Sequence, residues 1–166
     1  MDLYVVSDLE DEPGGLASSL VVRTDFSDEA AWLRTRAARM QPGQLGEDAY
    51  EDEDFGPALT FVVHPRFDGF TAEQFVAEVA RMGLSRNHLF FADRRAQIDD
   101  DHPVVVVDLE TEGPEGESNT LGRTFRARSY DVGSIGANLS LINMDFREFA
   151  DVADSTPDRV FRGFED

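Results

Sequence analysis

The chain contains neither cysteine nor lysine. Without cysteine there is no disulfide and no thiolate metal centre, which fits a reducing compartment. Without lysine there is no Schiff-base or lysine general-base chemistry, and phosphoaspartate switching is disfavoured. No apolar run approaches the roughly 20 residues that span a bilayer. The opening MDLYVVSDLEDEP carries acids where a secretory signal carries positive charge, so the expected location is the cytoplasm. The sequence shows no G-x-S-x-G, no P-loop and no basic patch interleaved with aromatics, so no motif points to nucleic acid or a membrane as a partner.

What is present is a single domain's worth of chain. At 166 residues it can bury roughly 70% of the surface its unfolded form exposes. The net charge of −19 is unevenly placed. Segments 1–12, 47–54, 99–101 and 108–117 contain no arginine and hold 5, 6, 3 and 5 acids. The remaining chain has 15 acids and 15 arginines, a neutral mixed-charge body. Residues 1–18 read as an acidic segment expected to be mobile, and residues 19–166 as one α/β domain with an acidic loop at 44–56.

The β-branched run LVVRT at 20–24 predicts a strand. Ser27 is then expected to cap a helix whose buried face would be Ala30, Leu33, Ala37 and Met40. LTFVV at 59–63 predicts a second strand. Thr71 with Gln74 has capping-box spacing, and Phe70 with Phe75 has staple spacing, so a helix is expected up to Met82. LFFA at 89–92 predicts a third strand. VVVVDL at 104–109 predicts a fourth, and its lack of alternation implies two covered faces and a central position. Thr124, Arg126 and Arg128 alternate with Phe125 and Ala127, describing a half-buried or edge strand. Val132, Ile135, Leu139 and Ile142 restore helical spacing, with Gly133 and Gly136 allowing a close approach. Asp145 and Glu148 then have capping-box spacing. Phe161 and Phe164 are expected to dock. The order predicts a mixed sheet flanked by helices, mostly parallel, with later strands returning antiparallel.

The runs RTDFSDEAAW, FADR, HPVVVVDL, GRTFR, NLSLINMDFREFA and FRGF resemble an uncharacterised single-domain family from high-GC soil bacteria. The resemblance covers residues 20–164, with the N-terminal tail and the acidic insert at 44–56 as departures. It implies a bacterial single-domain protein and carries over no activity and no catalytic residue.

Several residue sets could carry function. Asp25, Asp93 and Asp108 each stand at the expected carboxyl end of a strand, where open α/β sheets bind ligands. Three carboxylates there would suit Mg²⁺, a hard cation; no other cofactor is implied. Aspartate after a strand is also ordinary turn chemistry, and Asp25 could cap the following helix. Arg94 and Arg95 could clamp an anion or pair with neighbouring acids. Asp99, Asp100 and Asp101 with His102 read as a solvated turn, because adjacent side chains diverge. His64 and His102 precede prolines and are expected in extended backbone. Asn138, Asn143 and Asp145 could read a polar ligand or serve as caps. Glu47, Asp48, Glu51, Asp52, Glu53 and Asp54 could meet a basic protein. The favoured expectation is a non-catalytic binding or regulatory module, immunity-like, that neutralises such a partner. A metal-assisted enzyme at the strand ends is the alternative, and an acidic DNA mimic the third.

Overall fold

The computed structural model describes residues 19–40, 59–82, 86–110, 120–140 and 144–164. Six strands form one sheet: β1 (Ser19–Arg23), β2 (Leu59–Val62), β3 (His88–Ala92), β4 (Val104–Asp108), β5 (Thr124–Ala127) and β6 (Val160–Phe161). Their spatial order is β2-β1-β3-β4-β5-β6. β1 pairs parallel with β2 and β3, and β5 pairs parallel with β6. β4 is antiparallel to both neighbours, so it alone points the other way. This is the mixed α/β sheet expected from the order of elements.

Five helices flank it: α1 (Glu29–Met40), α2 (Ala72–Met82), α3 (Arg94–Ile98), α4 (Val132–Ser140) and α5 (Phe146–Asp154). Among the described residues, no helix is long and apolar enough to cross a membrane. Trp32, Ala96, Ile135, Leu139, Phe149 and Ala153 pack with Val21, Phe90, Val104, Val106 and Phe125 on one face of the sheet. Phe67, Phe75 and Val79 pack with Leu20, Val22, Leu89, Phe91, Val105 and Val107 on the other. Four helices therefore cover one face, while α2 and the 3-10 turn Pro65–Phe67 cover the second. The alternating valines of β4 divide between the two clusters, which is why its sequence shows no polar face.

The helix punctuation follows the side-chain chemistry. In α2 the Thr71 amide donates to Gln74 Oε1 at 2.9 Å and the Gln74 amide donates to Thr71 Oγ1 at 3.3 Å. Phe70 and Phe75 stand 5.1 Å apart, completing the staple. In α5 the Asp145 amide donates to Glu148 Oε2 at 2.8 Å. Gly136 lets α4 lie directly on the sheet: a Cβ there would collide with Ser19 Oγ and come within 3.5 Å of Phe90.

Three expectations need correcting. The buried face of α1 is Ala31, Trp32 and Thr35, while Leu33 is 55% exposed. Trp32 offers more apolar area than Leu33 and takes the sheet-facing position. The α1 cap is Asp28, whose Oδ1 accepts from the Ala31 amide at 3.0 Å, and not Ser27. His102 sits at φ +46 rather than extended, because its Nδ1 bonds Thr35 Oγ1 at 2.9 Å and the Ala96 carbonyl at 3.0 Å. Two elements had no counterpart in the reading: the five-residue α3 and the two-residue β6.

Candidate functional site

The chain leaves β1 through α1 to reach β2, then recrosses through α2 to β3 on the other side of β1. α1 and α2 lie on opposite faces. The helices that follow β1 and β3, α1 and α3, lie together on the face opposite α2, so the loops leaving the carboxyl ends of these two neighbouring strands run side by side. Arg23 ends β1 and Asp25 and Ser27 follow it, while Asp93 follows β3 and Arg94 and Gln97 lie in α3.

The two loops are stitched together. The Thr24 amide donates to the Ala92 carbonyl at 3.0 Å. Gln97 Nε2 donates to the carbonyls of Asp25 and Ala92 at 2.9 and 3.1 Å. Arg94 Nη1 reaches Ser27 Oγ at 2.9 Å across the solvent-facing rim. Beneath them Arg23 is 97% buried, with Nε on the Asp25 carbonyl at 2.9 Å and Nη1 on Glu29 Oε2 at 2.7 Å. Its guanidinium lies 4.5 Å from the centre of the Phe26 ring and 5.4 Å from that of Trp32, two cation–π contacts to a desolvated charge. Asp25 accepts at Oδ1 from the Ser27 amide and hydroxyl. Partial desolvation opposes its charge, but the Ser27 hydrogen bonds, with Arg94 and Arg23 nearby, outweigh it and hold the carboxyl below its usual value.

Asp93 is committed elsewhere. It caps α3 through the Ala96 amide at 3.0 Å and receives Arg126 bidentately, at 3.0 and 2.7 Å. Arg126 also donates to the Pro103 carbonyl at 2.9 Å, tying β5 to the loop before β4.

Asp108 does not join Asp25 and Asp93. Because β4 runs antiparallel, Asp108 pairs in register with His88, the first residue of β3, at the opposite end of the sheet. There it is buried, accepting from the Glu110 amide at 2.9 Å and from the Thr120 hydroxyl, and it closes the connection to β5. The expected trio of strand-end carboxylates is therefore a pair and a separate turn residue. Among the described residues, no group of three or more histidine, aspartate or glutamate side chains is placed to hold a metal ion.

A shallow cleft of about 360 Å³ lies beside α3, lined by Arg95, Asp99, Asp100, Asp101, Asp158 and Arg162. Its charges are largely paired internally. Arg162 spans Asp158, at 2.9 and 2.6 Å, and Asp101, at 2.9 Å, while Arg95 holds Asp99 at 3.2 Å. The hydrogen bond from Arg162 keeps Asp158 well below the ordinary carboxylate range, and Asp158 in turn raises Arg162. Asn138 bonds back to the Ser134 carbonyl at 2.9 Å within α4, so it has a helical role. Asn143 lies outside the described residues, as do Glu47, Asp48, Glu51, Asp52, Glu53 and Asp54.

One arrangement was not anticipated from the sequence. Ser19 Oγ lies 2.9 Å from His88 Nε2, His88 Nδ1 lies 2.5 Å from Asn87 Oδ1, and Asn87 Nδ2 donates to the Leu139 carbonyl at 2.9 Å. That connectivity resembles a nucleophile–base–orienter relay. It is closed as a catalytic site, because Ser19 and His88 are each 4% exposed and Gly136 walls off the hydroxyl. The relay instead joins β1, β3 and α4.

No curated protein matches the chain. Its motifs resemble an uncharacterised single-domain family, and a family model spans every strand and helix among the described residues. The chain belongs to the family described as a domain of unknown function, DUF6924, which matches residues 18–164.

Proposed function

We propose that the protein is a non-catalytic binding module that engages a basic partner through its arginine-free acidic segments. The segregation of charge carries this reading. The described residues hold all 15 arginines and 18 acids, a net charge of −3. The other residues hold 16 acids and no arginine. A near-neutral body with concentrated acidic segments steers cationic surfaces toward those segments. Engagement of the strand-end carboxylates supports the same reading against a metal-assisted enzyme. Asp93 gives both oxygens to Arg126, and Asp108 is turned into its own connection.

The test immobilises the intact chain and captures protein from the cells that produce it, at about 50 mM and about 500 mM NaCl, a range over which exposed charges become strongly screened. A variant with Glu47, Asp48, Glu51, Asp52, Glu53 and Asp54 all changed to serine runs beside it. The expected outcome is one basic protein retained at low salt by the natural chain alone, and a purified pair whose affinity falls steeply with salt. A partner held equally by both chains, or held at high salt, would remove the acidic segment as the contact.

A further inference from the structure

The stripe that the sequence offers as the buried face of α1 faces solvent instead. Ala30, Leu33 and Ala37 are all exposed, Leu33 at 55%, and Met40 continues their spacing at the last helical position. The intervals of three, four and three residues are those of the a and d positions of a heptad. In that frame Arg34 and Arg36 occupy e and g, the two positions that border a seam, and both are exposed. The b, c and f positions opposite the seam are Ala31, Trp32 and Thr35, the residues that α1 buries. α1 therefore has two apolar faces, and only the inner one is covered among the described residues. A single exposed leucine is ordinary on a protein surface. One set in a heptad seam, with alanines a turn away on each side and arginines along both flanks, has the pattern of a helix that packs on another helix.

We propose that this outward face of α1 docks one acidic amphipathic helix of another protein, whose apolar residues lie along Ala30, Leu33 and Ala37 and whose carboxylates meet Arg34 and Arg36. Charge chooses the occupant. Residues 30–46 contain three arginines and no acid, in a chain of net charge −19. Glu29, at the start of the helix, is already held by Arg23 at 2.7 Å. The Arg36 guanidinium rests 4.8 Å over the Phe61 ring, which fixes one flank in place. A second copy laid antiparallel would set Arg34 against Arg34 and Arg36 against Arg36, because like flanks meet in that orientation. An anionic membrane is a broad plane and would also meet the acidic segments elsewhere on the chain. A single helix stays within about 10 Å of the arginines, the distance over which their field acts at ordinary salt. The alanines let its backbone approach closely, and Leu33 supplies the anchor. This surface is separate from the acidic segments and takes a partner of the opposite charge.

The experiment follows backbone amide shifts of the intact chain during titration with a helical peptide of repeated Glu-Ile-Ala-Ala-Leu-Glu-Lys heptads. Its basic counterpart, Lys-Ile-Ala-Ala-Leu-Lys-Glu, is titrated separately. The acidic peptide should give saturable shifts along α1, residues 29–40, and the basic peptide should give none there. Leu33→Ser, an exposed change that leaves the fold in place, should weaken binding roughly tenfold, the scale of one leucine withdrawn from a contact. Arg34→Glu should weaken it and flatten its dependence on salt. Absence of saturable α1 shifts with the acidic peptide, equal α1 shifts with the basic one, or indifference to Leu33→Ser would each overturn the proposal. Self-association in sedimentation that Leu33→Ser removes would assign the face to a second copy. Shifts along α1 with phosphatidylglycerol–phosphatidylcholine vesicles and none with the peptide would assign it to a membrane, and either result would overturn the proposal too. None of these results bears on the acidic segments, whose capture experiment reads a different surface and a basic partner.

Discussion

His88 shows how a single buried residue can set the acid response of the whole chain. Asn87 is oriented by the Leu139 carbonyl, so its oxygen faces His88 Nδ1, which must carry the proton. Nε2 is then the acceptor for the Ser19 hydroxyl. Burial, with Arg86 adding to it, pushes the imidazole down from 6.5 to about 4. Above pH 6.5 the ring is neutral in both folded and unfolded chains, and stability is unaffected. Between 6.5 and about 4 the unfolded chain takes the proton first, so stability falls as the pH falls. Over the full window the loss is on the order of 3 kcal/mol. Urea melts of the natural chain and His88→Gln at about pH 7 and about pH 4.5 should show the steeper loss in the natural chain; equal slopes would remove His88 from the explanation. Asp93 offers a second residue-scale prediction. Asp93→Ala removes the α3 cap and strips Arg126 of its bidentate partner, and should cost about 2 kcal/mol by chemical denaturation.

At the scale of elements, α4 is the sharpest case. Replacing a helix-interior glycine by alanine ordinarily gains about 1 kcal/mol. At Gly136 the added Cβ falls on Ser19 Oγ, a strand atom held in the His88 relay. Gly136→Ala should therefore destabilise the protein, by about 1–3 kcal/mol, read as a lowered melting temperature. Thr71→Ala, by contrast, removes only the α2 cap and should cost about 1 kcal/mol. These elements also show what the sequence discloses. Capping boxes at Thr71 and Asp145 involve residues three apart and are legible locally. The face of α1 was not, because Leu33 fits a helical stripe as well as Trp32 does, and only the sheet decides between them. α3 and β6 are too short to leave a period. The valine run of β4 announced two covered faces but not its direction, since burial on both sides is the same for either polarity. That one hidden sign moved Asp108 from the candidate site to the far end of the sheet. The convergence of Arg23 and Gln97 on the Asp25 carbonyl was equally invisible, because it depends on two loops brought together by strand order.

For the whole molecule, the balance of charge predicts a response to salt. Ten close ion pairs among the described residues, such as Arg66–Glu78 and Arg123–Asp151, neutralise the body locally. The chain as a whole still carries −19, and a compact state concentrates that repulsion. Raising NaCl from about 20 to about 200 mM shortens the screening length to below about 10 Å and should raise the melting temperature. A fall instead would mean that the exposed ion pairs outweigh the long-range repulsion.

The single reversed strand also bears on the route by which the chain folds. β3, β4 and β5 form a meander whose partners are near one another in sequence, with Ala92 and Val104 ending and beginning one connection and Asp108 and Thr124 the other. The flanking pairs β1–β2, β1–β3 and β5–β6 are parallel and join residues much farther apart. Closing long loops costs entropy before any pairing is gained, so near-neighbour pairings form earlier. The reversal of β4 thereby gives the chain a local antiparallel nucleus, on which the parallel wings assemble last. The junction of the β1 and β3 loops, whose β1 side belongs to one of those wings, is then among the latest parts of the protein to close.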